Sequence, residues 1–166
     1  MAASAVAVKE ADLEEGMTVG CGLFVGTGPN MDISGEFPDY AKGKLDTDNL
    51  NALWMLRFLP NTMASTIAQL TGTHGENGTI TTACAASLHA LGEAFRKIRG
   101  GYLDLAIAGG GESRINPVGL LGYKKARALN SGPGAPEKAS RPFNDDRSGF
   151  VPGEGGAFFL LEDLEH

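Results

Sequence analysis

Residues Gly78-Thr-Ile-Thr-Thr-Ala-Cys84 lead from a β-branched stretch straight into a helical pattern, with a thiol at the junction. Thr79, Ile80, Thr81 and Thr82 give the strand signal. Leu88, Leu91, Phe95 and Ile98 recur at helical spacing and define the expected buried face, with small Ala85, Ala86 and Ala90 beneath the turn. Cys84 then lies over free backbone N–H groups and the positive end of the helix dipole. Both favour thiolate over thiol, and the same N–H groups can donate to an oxyanion formed beside the sulfur. The chemistry this junction suits is attack by sulfur on a carbonyl carbon. On spacing alone, a small buried hydrophobe is the competing reading of Cys84.

Other chemistry-bearing residues are placed less favourably. His89 follows Cys84 by five residues, more than one helical turn and well round the axis, so it is not expected to face the sulfur as a general base. His74 in a glycine-rich turn and the terminal His166 read as surface residues, and Cys21 as core. Three histidines and two cysteines at these spacings match no zinc pattern. Gly109-Gly-Gly111 and the glycines from Gly153 to Gly156 do not open helices as a dinucleotide fingerprint requires, and read instead as places of close backbone approach. No cofactor is expected.

The elements that must hold Cys84 alternate along the chain. Strands are expected at residues 18–25, 78–83, 103–108 and 156–161, apolar on both sides as a sheet covered on both faces requires. Helices are expected at 2–15, 48–58, 61–70, 84–99 and 117–129. This order predicts an α/β chain, layered, with a mainly parallel sheet covered by helices. Residues 130–147 are polar, with glycine and proline at their start, and read as a surface excursion rather than a linker.

Five ordered blocks resemble the β-ketoacyl-acyl carrier protein synthases, the thiolase-like condensing enzymes of fatty acid and polyketide synthesis. They are Val25-Gly-Thr-Gly28, Leu59-Pro-Asn-Thr-Met63, the junction at Cys84, Asp104-Leu-Ala-Ile-Ala-Gly-Gly-Gly-Glu112, and Ala139-Ser-Arg-Pro-Phe-Asn-Asp-Asp-Arg-Ser-Gly-Phe-Val-Pro-Gly-Glu-Gly155. Tyr123-Lys-Lys-Ala-Arg-Ala-Leu129 is similar to the helix end that follows the fourth block. The resemblance implies a thiolase-like half-domain in which Cys84 takes an acyl group from a carrier thioester. In the complete enzyme it implies decarboxylative condensation with a malonyl thioester.

The resemblance also implies that the 166 residues are most of an N-terminal half. The catalytic histidines, their lysine and the second oxyanion loop would lie in the other half, so the chain alone would not condense. A homo-oligomer or a complementary second-half chain is the expected partner. Substrate contacts are implied at Pro29 and Tyr123, and carrier-protein docking at Lys124, Lys125 and Arg127. Two departures bear on the substrate. The helix opened by Asn61 is about one turn shorter than usual before Gly72, and Pro29, with its fixed φ, stands where a branched aliphatic residue commonly gates the acyl pocket. The alternatives are a non-catalytic interaction or pseudo-enzyme fragment and, less favoured, a cysteine hydrolase.

Charge and composition set bounds on partners. The formal net charge is −6, which by itself would repel an acidic carrier protein or nucleic acid, but residues 93–147 hold ten Lys and Arg against six Asp and Glu. That basic segment suits an acidic carrier, although cations at a helix C-terminus are also favoured by the dipole alone. No apolar run is long enough to span a bilayer and no signal-peptide pattern opens the chain. The two cysteines then read as reduced thiols of a cytoplasmic protein.

Overall fold

The computed structural model describes the chain except for residues 15, 29, 31, 40, 41, 49, 165 and 166. It divides into two compact units, the first made of Met1–Asn30, Met55–Glu112 and Gly155–His166, the second of Met31–Trp54 and Ser113–Glu154.

The first unit is built on four strands, β1 (Gly22–Gly26), β2 (Asn77–Ile80), β3 (Leu105–Ser113) and β4 (Glu154–Glu162), in the spatial order β2-β1-β3-β4. Strands β2 and β3 both run parallel to β1, with Gly26 opposite Ile80 on one side and Gly110 on the other. β4 runs antiparallel to β3, since Gly109 abuts Ala157 and Phe158, Gly111 abuts Gly155, and the Asp163 N–H donates to the Asp104 carbonyl. The sheet is therefore mainly parallel, as expected, with one antiparallel edge.

Alternate residues of these strands face opposite sides, and the core divides accordingly. Leu23, Val25, Leu105 and Ile107 pack with Ala64 and Ile67 of α2 (Thr62–Thr71), and Val8 of α1 (Ala2–Glu10) lies against the same cluster. Phe24, Ala106 and Ala108 pack on the other side with Ala90, Ala94 and Ile98 of α3 (Ala86–Arg99). Helix α3 is the crossover from β2 to β3, and Lys97 near its end pairs with Glu76, just before β2, at 2.8 Å. That bond holds the Lys97 ammonium above its ordinary pKa.

The buried face of α3 differs from the one read in the sequence. Ala86, Ala90, Ala94 and Ile98 are buried at intervals of four, whereas Leu88 and Phe95 are 71% and 53% exposed. The reason is clearance. A Cβ on Gly26 would come within 2.3 Å of the Ser87 nitrogen, and one on Gly110 within 2.2 Å of Ser87 Oγ. At that separation only small residues fit between helix and sheet.

Several boundaries are shorter than expected, each for a local reason. α1 stops at Glu10, before Asp12 turns into the left-handed region at φ 49°. The strand expected from residue 18 begins at Gly22, because the Val19 and Cys21 N–H groups close turns onto Gly16 and Thr18; Cys21 thus stands just before β1. Among the described residues of 48–58, helical structure is confined to a 3₁₀ turn, Trp54–Phe58. Upstream of it Asp46 and Asn51 side chains accept from the Asp48 and Leu53 N–H groups, offering the backbone a turn in place of a helix.

In the second unit, α4 (Pro117–Lys125) starts on Asn116, whose side chain accepts from the Gly119 N–H at 2.8 Å. It ends at Lys125 rather than 129, because Arg127 takes φ 56° and the Ala128 N–H returns to the Tyr123 carbonyl. The polar stretch after it is closed at its base, where Asn130 donates to Ser148 Oγ at 2.8 Å and to the Ala139 carbonyl at 3.1 Å. Among the described residues no helix is long and apolar enough to cross a membrane.

The clearance argument is testable by substitution. Gly26→Ala should destabilise the chain by about 1–3 kcal/mol in urea unfolding, because the methyl meets backbone that cannot step aside. Gly20→Ala, where nothing lies within 4 Å, should stay within about 0.5 kcal/mol of the parent. Equal effects at the two positions would refute it.

Candidate active site

Strand β2 ends at Ile80, and the chain enters α3 through a 3₁₀ turn, Ala83–Ala85, that carries Cys84. The α-helix thus opens two residues after Cys84 rather than on it. Ala83 holds φ 52°, a conformation that costs a non-glycine residue about 1–3 kcal/mol and that concentrates at functional sites. The Thr27 N–H donates to the Ile80 carbonyl at 3.0 Å, so the ends of β1 and β2 lie side by side. Cys84 follows the carboxyl end of a parallel strand, the edge at which open α/β sheets bind ligands. Its thiol is free and exposed.

The second thiol has the opposite setting. Cys21 is fully buried, and its Sγ donates to the Gly22 carbonyl at 3.3 Å. Burial pushes its pKa up to about 11, with a backbone hydrogen bond at Ile107 opposing the rise. Cys21 is core, as read in the sequence.

His89, expected not to serve Cys84 as a base, has its Nδ1 at 2.9 Å from Thr82 Oγ1, on the residue before the turn. His74 is exposed, and His166 lies outside the described residues. Among the described residues no group of three or more His, Cys, Asp or Glu is arranged to hold a metal ion.

Beside the end of β1 lies a hollow of about 300 Å³ lined by Thr27, Gly28, Asn30, Leu59, Pro60 and Met63, among others. Thr27 is buried, its Oγ1 within 3.4 Å of the Gly28 and Gly111 carbonyls. The sequence flagged Leu59 to Met63 as a block without giving it a place; the fold supplies one, by setting the first turn of α2 against the end of β1. Pro29, read as a substrate contact, lies outside the described residues.

The remaining expected site residues belong to the second unit. Lys124, Lys125 and Arg127 are exposed at the end of α4. Tyr123 is half-buried, its ring edge-on to Phe150 with centroids 5.0 Å apart. Arg127, Arg141 and Arg147 line a hollow of about 970 Å³ with Phe143, Asp145 and Phe150, and Arg141 also pairs with Asp146, outside that lining, at 3.5 Å.

Comparison with known proteins places this arrangement. The family model described as "Beta-ketoacyl synthase, N-terminal domain" matches residues 1–166. A putative 3-oxoacyl-[acyl-carrier-protein] synthase, mitochondrial, of Schizosaccharomyces pombe is 40% identical over 171 residues, covering all of this chain and 40% of that protein. A putative polyketide beta-ketoacyl synthase 1 of Streptomyces halstedii is 35% identical over 174 residues, covering all of this chain and 41% of its own length. Among solved structures, a type II PKS acyl-carrier protein in complex with its ketosynthase bound to the hexaketide aligns at a TM-score of 0.85 and 26% identity, over 98% of this chain and 42% of that one. The chain spans about two fifths of the length of these relatives.

The contrast between the two thiols gives a pH dependence. A buried thiol with a raised pKa stays protonated in the folded state while the unfolded chain ionises. Its contribution to stability is full below pH 9.0 and is lost as pH rises through about 11. Urea unfolding at stepped pH should therefore lose about 2–3 kcal/mol across that interval, a slope that Cys21→Ala removes. A slope unchanged in Cys21→Ala would assign it to other groups.

Proposed function

The chain belongs to the β-ketoacyl synthase family, and from that membership we propose that Cys84 is the residue that takes an acyl group from a carrier thioester. The observation that carries the reading is the free, exposed thiol at the strained Ala83 turn, at the carboxyl end of a parallel strand. The Cys84 thiol loses its proton to solvent, and the thiolate attacks the thioester carbonyl carbon. A new carbon–sulfur bond forms and the carbonyl electron pair moves to oxygen. That oxyanion then collapses, the old carbon–sulfur bond breaks, and the departing carrier thiolate takes up a proton. The products are acyl-Cys84 and the carrier thiol, so no net oxidation occurs and no cofactor is needed.

The hollow beside Thr27 and Met63 suits the acyl chain, being partly apolar and at the low end of ligand-pocket volumes. Carrier docking on Lys124, Lys125 and Arg127 is supported by their exposure and by the relative solved with an acyl-carrier protein. Pro29 and Tyr123 remain proposed substrate contacts, and the compartment proposed is the cytoplasm, where thiols stay reduced. Condensation with a malonyl thioester is proposed for the whole enzyme, of which this chain is the thiolase-like N-terminal part. The exposed Leu88, Phe95 and Phe159 favour a further feature, association with a second copy or a complementary chain.

Loading is the direct test. Incubation with an acyl-N-acetylcysteamine thioester, then peptide mapping by mass spectrometry, should place the acyl group on Cys84 and leave Cys21 free. Cys84→Ala should abolish the adduct and Cys21→Ala should keep it. An adduct on Cys21, or none, overturns the assignment. Lys124→Glu with Arg127→Glu should weaken binding of an acyl-carrier protein and flatten its salt dependence, with loading from the small thioester unchanged.

A further inference from the structure

The hollow of about 970 Å³ in the second unit is lined by groups of three kinds. Arg127, Arg141 and Arg147 supply guanidinium groups, Phe143 and Phe150 supply rings, and Asp145 supplies a carboxylate. Most of these charges are not spent on one another. Arg141 pairs with Asp146, but Arg127, Arg147 and Asp145 have no ion-pair partner among the described residues, and Arg147 gives an N–H to the Asn144 carbonyl at 2.9 Å. The rings are not spent on a core either, Phe143 being 96% and Phe150 43% exposed.

The backbone points to the same place. Of the four non-glycine residues with positive φ among the described residues, two line this hollow, Arg127 at 56° and Phe143 at 68°. Bulky residues hold that conformation only where their surroundings impose it, and such strain concentrates at functional sites. Two lining segments are joined by the Phe150 N–H, which donates to the Ala128 carbonyl at 2.9 Å.

We propose that this hollow binds a nucleoside monophosphate. A phosphate monoester carries about 1.5–2 negative charges near neutral pH and takes paired N–H bonds from guanidinium groups, a demand that Arg127 and Arg147 can meet together. A single carboxylate would leave one of the two unmatched. The exposed rings offer faces on which a nucleobase can stack, and Asp145 can accept from ribose hydroxyls. The volume is at the upper end of small-ligand sites, which suits a whole nucleotide rather than bare phosphate. Arg127 is also proposed for carrier docking, so the test relies on Arg147 and Phe143.

Calorimetric titration of the full chain with adenosine monophosphate, adenosine and inorganic phosphate separates the parts. The nucleotide should bind saturably and at least about tenfold more tightly than either fragment, because only it engages rings and guanidinium groups together. Arg147→Gln should weaken nucleotide binding about tenfold and flatten its salt dependence. Phe143→Asn, a side chain that tolerates the left-handed backbone, should weaken nucleotide binding about tenfold and leave inorganic phosphate binding unchanged. The three probes are compared on the parent chain, so that result stands whatever the variants do to folding. No saturation by the nucleotide at millimolar concentration, or inorganic phosphate bound as tightly as the nucleotide, overturns the inference. So does a Phe143→Asn variant with the parent's urea midpoint that binds the nucleotide as the parent does. Each outcome leaves the reading of Cys84 as it stands.

Discussion

The first turn of α3 lies directly on the backbone of β1 and β3, and most of the first unit is arranged around that contact. Gly26 and Gly110 leave no room for a Cβ between strand and helix, so Ser87 meets the sheet without a side chain between them. A helix seated this closely buries small residues, which is why alanine recurs at 86, 90 and 94 and the first large buried side chain of α3 is Ile98. The chain must leave β2 and reach that seat within a few residues. The short path from Ile80 to Ala86 forces the left-handed turn at Ala83, and Cys84 stands at its crest. The strain there, about 1–3 kcal/mol, is offset by the packing of Phe24, Ala90, Ala94 and Ala106 behind it.

Much of this arrangement was legible in the sequence, and the places where it was not have a common cause. Strands covered on both faces announce themselves as continuous apolar runs, and Leu105 to Ala108 could be read that way. The buried face of α3 could not, because hydrophobic periodicity weighs side chains by size while the contact selects them by clearance. Leu88 and Phe95 are the loudest residues of that helix and both are exposed. The expected helix at 48–58 failed for another reason: Asp46 and Asn51 carry short side chains that satisfy nearby N–H groups themselves. Periodicity does not register that competition.

The candidate site divides along the same line. The place of Cys84 between strand and helix was legible because a switch from strand to helix period is a local signal, contained within a dozen residues. The hollow by Thr27 was not, since Leu59 and Met63 reach the end of β1 only once α2 has packed on the sheet. His89 was measured against the sulfur and dismissed as a base on sound helical geometry. The bond it makes is to Thr82, on the far side of the junction, and no helical period extends there.

The two thiols of the chain have opposite settings, and the fold separates them without any group dedicated to the task. Cys21 immediately precedes β1, beneath the layer formed by Ile67, Leu105 and Ile107. Burial among those apolar side chains raises its pKa to about 11 and keeps solvent from the sulfur. Cys84 belongs to the same sheet but to the end where the chain must emerge to turn, and it is exposed for that reason. The difference in exposure between the two sulfurs therefore follows from strand topology. Residues near the entry to a buried parallel strand are covered by the helices of both layers, while those just past the exit of its neighbour are presented to solvent.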